Sequence, residues 1–329
     1  MQNSFKSSKN DKQPIVSFII TYYDLPVDLL CRCIESILSL SLRADEREII
    51  LVDDGSQKSP LAGLEQYIDD IIYIRQANGG LSKARNTGIQ ISTGTYLQFI
   101  DADDSLIRKG YEHCLDLVRY KQPDIVFFQL SDKVEEQSSV FEDSDQMSGP
   151  TFMRTNNLRG SACGYLFRKK TLSELRFTPG IYHEDEEFTP LLFLRADVII
   201  STNATAYYYR TRENSIMTSK NVRHIIKRLN DAKEIILRLN VMADSMPTES
   251  SKALIRRVHQ LTMDYIYNVI RLTHSRHYLD RQLAVLSKAG LYPLPKRDYT
   301  KKYIWLRRLM NSDMGLSMLM RAIPLMKKK

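Results

Sequence analysis

Cysteine is scarce: four residues in a chain of 329, too few for a disulfide framework. Cys31, Cys33, Cys114 and Cys163 stand in apolar contexts, which suits reduced, buried thiols. The Cys31/Cys33 pair has C-x-C spacing without a matching Cys or His pair, so a zinc site is not indicated either. No window approaches the roughly 18 to 20 apolar residues a membrane span needs. The opening MQNSFKSSKNDKQP has no apolar core of the signal-peptide kind and reads as a disordered leader over residues 1–13. Internal repeats and low-complexity tracts are also missing. A cytoplasmic protein is the expectation, with a peripheral place at the inner face of the plasma membrane left open by the tail.

Charge is unevenly spread. The net charge is +8, and residues 296–329 carry ten basic residues against Asp298 and Asp313, which is the whole excess. The rest of the chain is close to neutral, so no nucleic-acid partner is expected. Hydrophobic residues make up 43% and charged residues 26%, enough for a sizeable core. The length implies one large domain with an appendage, or two domains.

The first half alternates strand-like and helix-like runs. PIVSFIIT (14–21), REIILVDD (47–54), DIIYIRQ (70–76), TYLQFID (95–101) and DIVFFQL (124–130) read as strands. Between them lie helical patterns, the first with Leu30, Ile34, Ile37 and Leu38 on one face. This order predicts an α/β fold with a mostly parallel sheet flanked by helices. Residues 131–150 read as an exposed acidic connection. Strands DVIIST and AYYYR follow a helix expected from about Pro190, with Thr189 as its N-cap. From about Asn221 the pattern is helical throughout. The expected division is 1–13, 14–220 and 221–329.

Ligands of parallel sheets sit beyond the carboxyl ends of the strands, and the polar residues fall there: Thr21 and Asp24, Asp53 and Asp54, Asp101 and Asp103. Asp101 and Asp103 project to one side of an extended chain while Ala102 points away. Two such carboxylates suit a hard cation whose shell is completed by water and diphosphate. The plainer alternative is that Asp103 or Asp104 caps the helix near 108–121.

Taken in order, VSFIITYYDLPVDLLCRCIESIL, EIILVDDGSQ, NGGLSKARNTGI, GTYLQFIDADD, HEDEEF and YYYRTRENSI resemble the successive motifs of family 2 glycosyltransferases of the GT-A fold. The resemblance covers about residues 14–218 and implies a Rossmann-like GT-A domain followed by an α-helical C-terminal region. It implies an inverting, metal-dependent transfer from a nucleotide sugar, with UDP-sugar the expected donor. The acceptor would be a hydroxyl of a glycan or lipid-linked glycan in surface polysaccharide synthesis. Thr21, Tyr23, Asp24 and Asp53 would form the nucleotide-base pocket, although Thr21-Tyr22-Tyr23-Asp24 stands where the family often has a Pro-Val-Tyr-Asn-like run.

Gly79 and Gly80 open a helix, where backbone can approach a ligand and a helix N-terminus favours an anion. Lys83 is a candidate contact whose plainer reading is a solvated side chain, and Arg85 would face the site or pair with Asp101 or Asp103. The resemblance places Asp101 and Ala102 by the nucleotide and Asp103 on Mn²⁺ or Mg²⁺. It makes Asp185 the general base, in the loop before the Pro190 helix, with Glu184 in support and Arg210 or Arg212 as clamps on the diphosphate. The competing reading is a catalytically inactive relative that binds glycan or scaffolds partners. In the tail, KKYIWLRRLMNSDMGLSMLMRAIPLMKKK would either lie on an anionic membrane surface or dock its apolar face on the protein.

Overall fold

In the computed structural model, residues 13–133, 140–211 and 221–323 are described. The leader lies outside these residues apart from Gln13, as do Arg212 and Lys327–Lys329. By contact the chain divides into two compact units. The first comprises Met1–Gln146, Ala162–Pro179 and Val198–Thr211, the second Met147–Ser161, Gly180–Asp197 and Arg212–Lys329. This division differs from a cut at 220: two short segments from the first two-thirds of the chain, one of them bearing Asp185, belong with the C-terminal helices.

The first unit is built on β1 (Val16–Tyr22), β2 (Arg47–Asp53), β3 (Ile71–Arg75), β4 (Tyr96–Asp101), β5 (Ser105–Leu106), β6 (Ile125–Ser131), β7 (Tyr165–Arg168) and β8 (Ile199–Tyr208). They form one sheet in the order β3-β2-β1-β4-β7-β6-β8-β5. The pairs β3/β2, β2/β1 and β1/β4 are parallel, β7 is antiparallel to both its neighbours, and β8 runs parallel to β6. Strand β1 buries every residue except half-buried Thr21, as a central strand covered on both faces should. Helices α1 (Val27–Leu38), α2 (Leu81–Ile91) and α3 (Arg108–Tyr120) pack around this sheet. Cys33 joins Leu30, Ile34 and Ile37 on the buried face of α1, and all four cysteines are free thiols.

Three local expectations change. The runs DVIIST and AYYYR are one strand, β8, whose pairing with β6 shifts register between Phe127 and Leu130 and so absorbs the polar Thr202-Asn203 interruption. Part of the acidic connection docks on β8: Asp143 bridges Thr202 and takes a 2.7 Å hydrogen bond from His113. Lastly, the helix expected from Pro190 is α5 (Glu184–Phe193), with His183 as N-cap and Pro190 inside it. Four acids in its first turn complement the helix dipole, and burial of Phe188, Leu191, Leu192 and Phe193 outweighs the one hydrogen bond that proline forfeits.

The second unit consists of α4 (Gly149–Thr155), α5, α6 (Val222–Asp244), α7 (Thr248–Thr273), α8 (Arg276–Lys288), α9 (Lys301–Met310) and α10 (Asp313–Ala322). Buried ionic side chains explain why the two short segments join it. Arg256 on α7 donates to the Met153 carbonyl at 2.7 Å and to Asn157 Oδ1 at 3.1 Å. On α5, Glu187 accepts from Arg238 at 2.7 Å and Glu186 pairs with Arg257. Helices α9 and α10 bury Tyr303, Met310, Leu316 and Leu319. Helices α9 and α10 therefore dock on their unit, while Trp305, Met314 and Met318 stay exposed. Among the described residues no helix is long and apolar enough to cross a membrane.

Candidate active site

Strand register brings the strand-end residues of the first unit together. Thr21 pairs with Asp101 across β1/β4, and Tyr22 with Asp53 across β1/β2, so the carboxyl ends of three parallel strands finish level. The chain leaves β1 through Asp24 at φ 45°, whose amide donates to Ser56 Oγ at 3.0 Å and whose carboxylate accepts from the Gln57 amide at 2.8 Å. That clamp joins the loops after β1 and β2 and leaves Tyr23 half exposed beside them.

The two aspartates after β2 have separate duties. Asp53 has no exposed surface; its oxygens accept from the Ser56 amide at 2.9 Å and the Tyr73 hydroxyl at 2.8 Å, with Arg75 at 3.6 Å. Asp54, 4% exposed, accepts from Gln76 Nε2 at 2.6 Å and from the Gly79 and Gly80 amides at 2.9 and 2.7 Å. The expectation of an anion at the N-terminus of α2 is thus met by the protein's own carboxylate, which takes the amides that the two glycines were expected to offer a ligand. Gly80, at φ 82°, supplies a conformation that a side chain disfavours, and space beyond its Cα is open. Lys83 is solvent-exposed.

Arg85, on the buried face of α2, reaches Asp101 Oδ1 at 3.1 Å. Its guanidinium lies 5.3 Å from the Phe177 ring centroid and 5.8 Å from that of Phe99. The Asn86 side-chain amide holds Phe177 there, its Nδ2 donating to the Phe177 carbonyl at 2.8 Å and its Oδ1 accepting from the Phe177 amide at 2.9 Å. Past Asp101 the chain turns tightly, the Asp104 amide donating to the Asp101 carbonyl at 2.9 Å, with Ala102 buried. Asp103 is 9% exposed.

Neither Asp103 nor Asp104 caps the following helix, since α3 has Ile107 as N-cap and no side-chain cap. Asp104 instead accepts from the Tyr207 hydroxyl at 2.7 Å and the Arg210 amide at 2.8 Å, while Arg210 Nε donates to the Asp103 carbonyl at 3.3 Å. Burial and then the Asp101 charge push the Asp104 carboxyl up to about 7, against those hydrogen bonds. Asp101 and Asp103 are the carboxylates this turn could offer a cation. Among the described residues no group of three metal-ligating side chains is gathered. That donor set fits Mg²⁺ or Mn²⁺ bound by one or two carboxylates and a substrate diphosphate, and does not make an all-protein cage.

Asp185 belongs to the second unit, half-buried in the first turn of α5 rather than in a preceding loop. His183, at φ 64°, turns the chain into this helix, and Glu184 is 8% exposed. Burial holds the His183 imidazole below its usual range, with the Arg228 charge adding to it against Glu186 and Glu184. Arg212 lies outside the described residues, so of the two expected clamps only Arg210 has a place, against the D-x-D turn. Sequence reading passed over Tyr73 and Tyr207 as site-building residues, and it named Asp54 at its strand end without giving it a role. The adjacent Gly79-Gly80 amides, which call for an acceptor, were the one signal for Asp54.

A mostly parallel sheet, carboxylates at its strand ends and a D-x-D turn define a GT-A sugar-nucleotide transferase fold. Within this fold the chain is similar to glycosyltransferases of family 2. The sequence profile of the family described as "Glycosyl transferase family 2" matches residues 17–171. EpsJ of Bacillus subtilis, named an uncharacterized glycosyltransferase, is 31% identical over 62% of this chain and 63% of its own length. The minor teichoic acid biosynthesis protein GgaB of the same organism is 25% identical over 75% of this chain and 30% of its own. The chain thus spans less than two thirds of either relative. Among solved structures, residues 1–349 of S. aureus TarS in complex with UDP-GlcNAc superpose with a TM-score of 0.55 at 17% identity, over 90% of each chain.

Proposed function

We propose that the protein is an inverting, metal-dependent transferase that moves a sugar from a UDP-sugar to a hydroxyl of a glycan or lipid-linked glycan acceptor in surface polysaccharide synthesis. The observation that carries this reading is the level ending of β1, β2 and β4, which pairs Thr21 with Asp101 and Tyr22 with Asp53, with the acidic turn next to them. UDP is the base assignment favoured by the bound ligand of TarS, and the polymer assignment by the name of GgaB.

Asp53 is the residue assigned to the uracil N3–H, and Tyr73, which now donates to it, is the group the base must displace or share with. Arg85 holds Asp101 in place for the ribose. Asp103 would hold Mn²⁺ or Mg²⁺, with Asp101 beside it. The ion would supply Lewis-acid stabilisation of the departing diphosphate. Arg210 braces the turn through Asp103 and Asp104, and Arg212 is the second candidate for the diphosphate.

In the transfer, Asp185 takes the proton of the acceptor hydroxyl as its oxygen forms the new bond to the anomeric carbon. The bond from that carbon to the diphosphate oxygen breaks on the opposite side, and its electron pair leaves with UDP. Single displacement inverts the anomeric configuration. Proton NMR of the first-formed product tests this: inversion is expected, and retention would overturn it. Asp185→Asn should lower kcat by about 10²- to 10⁴-fold with donor affinity kept.

The exposed Trp305, Met314 and Met318, beside the basic residues of 296–329, are assigned to an anionic membrane surface. Replacing all three with serine leaves the docked face intact and should abolish sedimentation with phosphatidylglycerol vesicles. Unchanged sedimentation would remove the membrane from the account.

A further inference from the structure

The second unit contains a cavity of about 380 Å³ between α6 and α7, bounded on one side by the start of α5. Two arginines, Arg228 from α6 and Arg271 from the last turn of α7, line it together with His183 and Glu186. Its acids are paired: Glu186 with Arg257, and Asp264 at 2.8 Å with Lys302, which also lines the cavity. The nearby Asp231 accepts from Lys227 at 2.7 Å and the Tyr182 amide at 2.8 Å.

Arg228 is 4% exposed, and burial followed by the charge of Arg271 lowers its guanidinium from the usual range. Among the described residues, the buried Nε of Arg271 has no hydrogen-bond partner. Burial also holds the His183 imidazole below its usual range, which disfavours a further positive charge there. Two like charges facing one cavity cost free energy unless an anion enters between them.

We propose that this cavity binds an anionic group, phosphate or carboxylate, carried on the acceptor, with Arg228 and Arg271 as its forks. Planar guanidiniums match the paired oxygens of either group. The volume is at the small end for ligand pockets and accommodates about one glycosyl or polyol unit. His183 and Glu186 flank Asp185 in the chain, so an acceptor anchored here enters beside the first turn of α5. This rests on the proposed role of Asp185 and adds an acceptor class to it.

Calorimetry with glycerol 3-phosphate, glucuronate, inorganic phosphate and neutral glycerol tests the inference on the full chain. Glycerol 3-phosphate or glucuronate should bind in the millimolar range or tighter, glycerol should not, and the stronger of the two tells phosphate from carboxylate. Arg271→Met and Arg228→Met should each weaken binding by about tenfold or more. Arg271→Lys, which keeps the charge and loses the fork, is read if a methionine variant does not fold, and should still weaken binding severalfold.

No binding to the wild type at about 10 mM, or equal binding in the variants, would overturn the proposal. Inorganic phosphate binding as tightly as glycerol 3-phosphate would overturn the acceptor assignment. Asp185→Asn should bind the anion as the wild type does. Anion binding by a protein that shows no transfer would sink the catalytic reading and the acceptor assignment with it, leaving the anion site alone.

Discussion

Asp54 offers the sharpest test of how the site is built. Replacing it with alanine deprives the Gly79 and Gly80 amides and Gln76 Nε2 of their acceptor at a carboxylate only 4% exposed. A hydrogen bond to a charged group contributes about 1.5–3 kcal/mol, and a carboxylate at a helix N-terminus about 0.3–1 kcal/mol. Three donors share one carboxylate, and water can reach part of the vacated space, so these contributions do not add in full. The expected loss for Asp54→Ala is about 3 kcal/mol, with Asp54→Asn between it and wild type because the amide oxygen retains one acceptor position. Urea unfolding followed by far-UV circular dichroism measures the total. Amide hydrogen exchange over residues 79–84 locates it, and protection there should fall first. If Asp54→Ala unfolds within about 0.5 kcal/mol of wild type, the carboxylate does not hold α2, and the glycine amides are available for a ligand as the sequence implied.

Two further expectations concern stability rather than the reaction. Gly55→Ala should be more damaging than Gly80→Ala. Both glycines have positive φ, but a Cβ at Gly80 meets open space, whereas one at Gly55 would lie 2.7 Å from the Asn78 amide nitrogen. Backbone strain alone costs about 1–3 kcal/mol, so thermal melts should place Gly80→Ala in that range and Gly55→Ala beyond it. His259 is 8% exposed, beside the Tyr299 hydroxyl at 2.9 Å, and burial followed by the Arg297 charge lowers its imidazole to about 4. Because the folded value lies below the ordinary 6.5, the unfolded chain binds more protons in this window. Stability should therefore fall by about 3 kcal/mol as pH drops from 6.5 to 4. His259→Gln should flatten that slope in urea titrations, and an unchanged slope would show that His259 is not the group responsible.

Much of the first unit was legible because its signals are local. The apolar runs of β1, β2 and β4 declare buried strands by composition alone, but the extended geometry expected through Asp103 does not hold, because the chain turns at Ala102 and Asp103. Asp54 was opaque because its partners lie more than twenty residues downstream, where only the folded loop brings the Gly79 and Gly80 amides to it. The start of α5 was misplaced for a related reason. Thr189-Pro190 has the form of a helix start, but the residues that decide are the apolar ones buried on either side of it, together with Arg238 and Arg257 far along the chain. The division into units follows the same logic: it is set by long-range ion pairs such as that of Arg257 with Glu186, which no window of sequence contains. Asp185, recognised by its motif, consequently has the structural context of the helical unit rather than that of the sheet.

The central claim is that the acidic turn after β4 binds a nucleoside diphosphate together with a divalent ion. Calorimetry of UDP binding to wild type and Asp103→Asn, each with and without Mn²⁺, addresses it directly. The account predicts UDP binding with Mn²⁺, weakened about tenfold or more when the metal is omitted and equally weakened by Asp103→Asn. Equal affinity in all four arms would contradict the role given to Asp103. Absence of binding by UDP, GDP, CDP and dTDP alike would contradict the transferase reading and point to a binding or scaffolding protein.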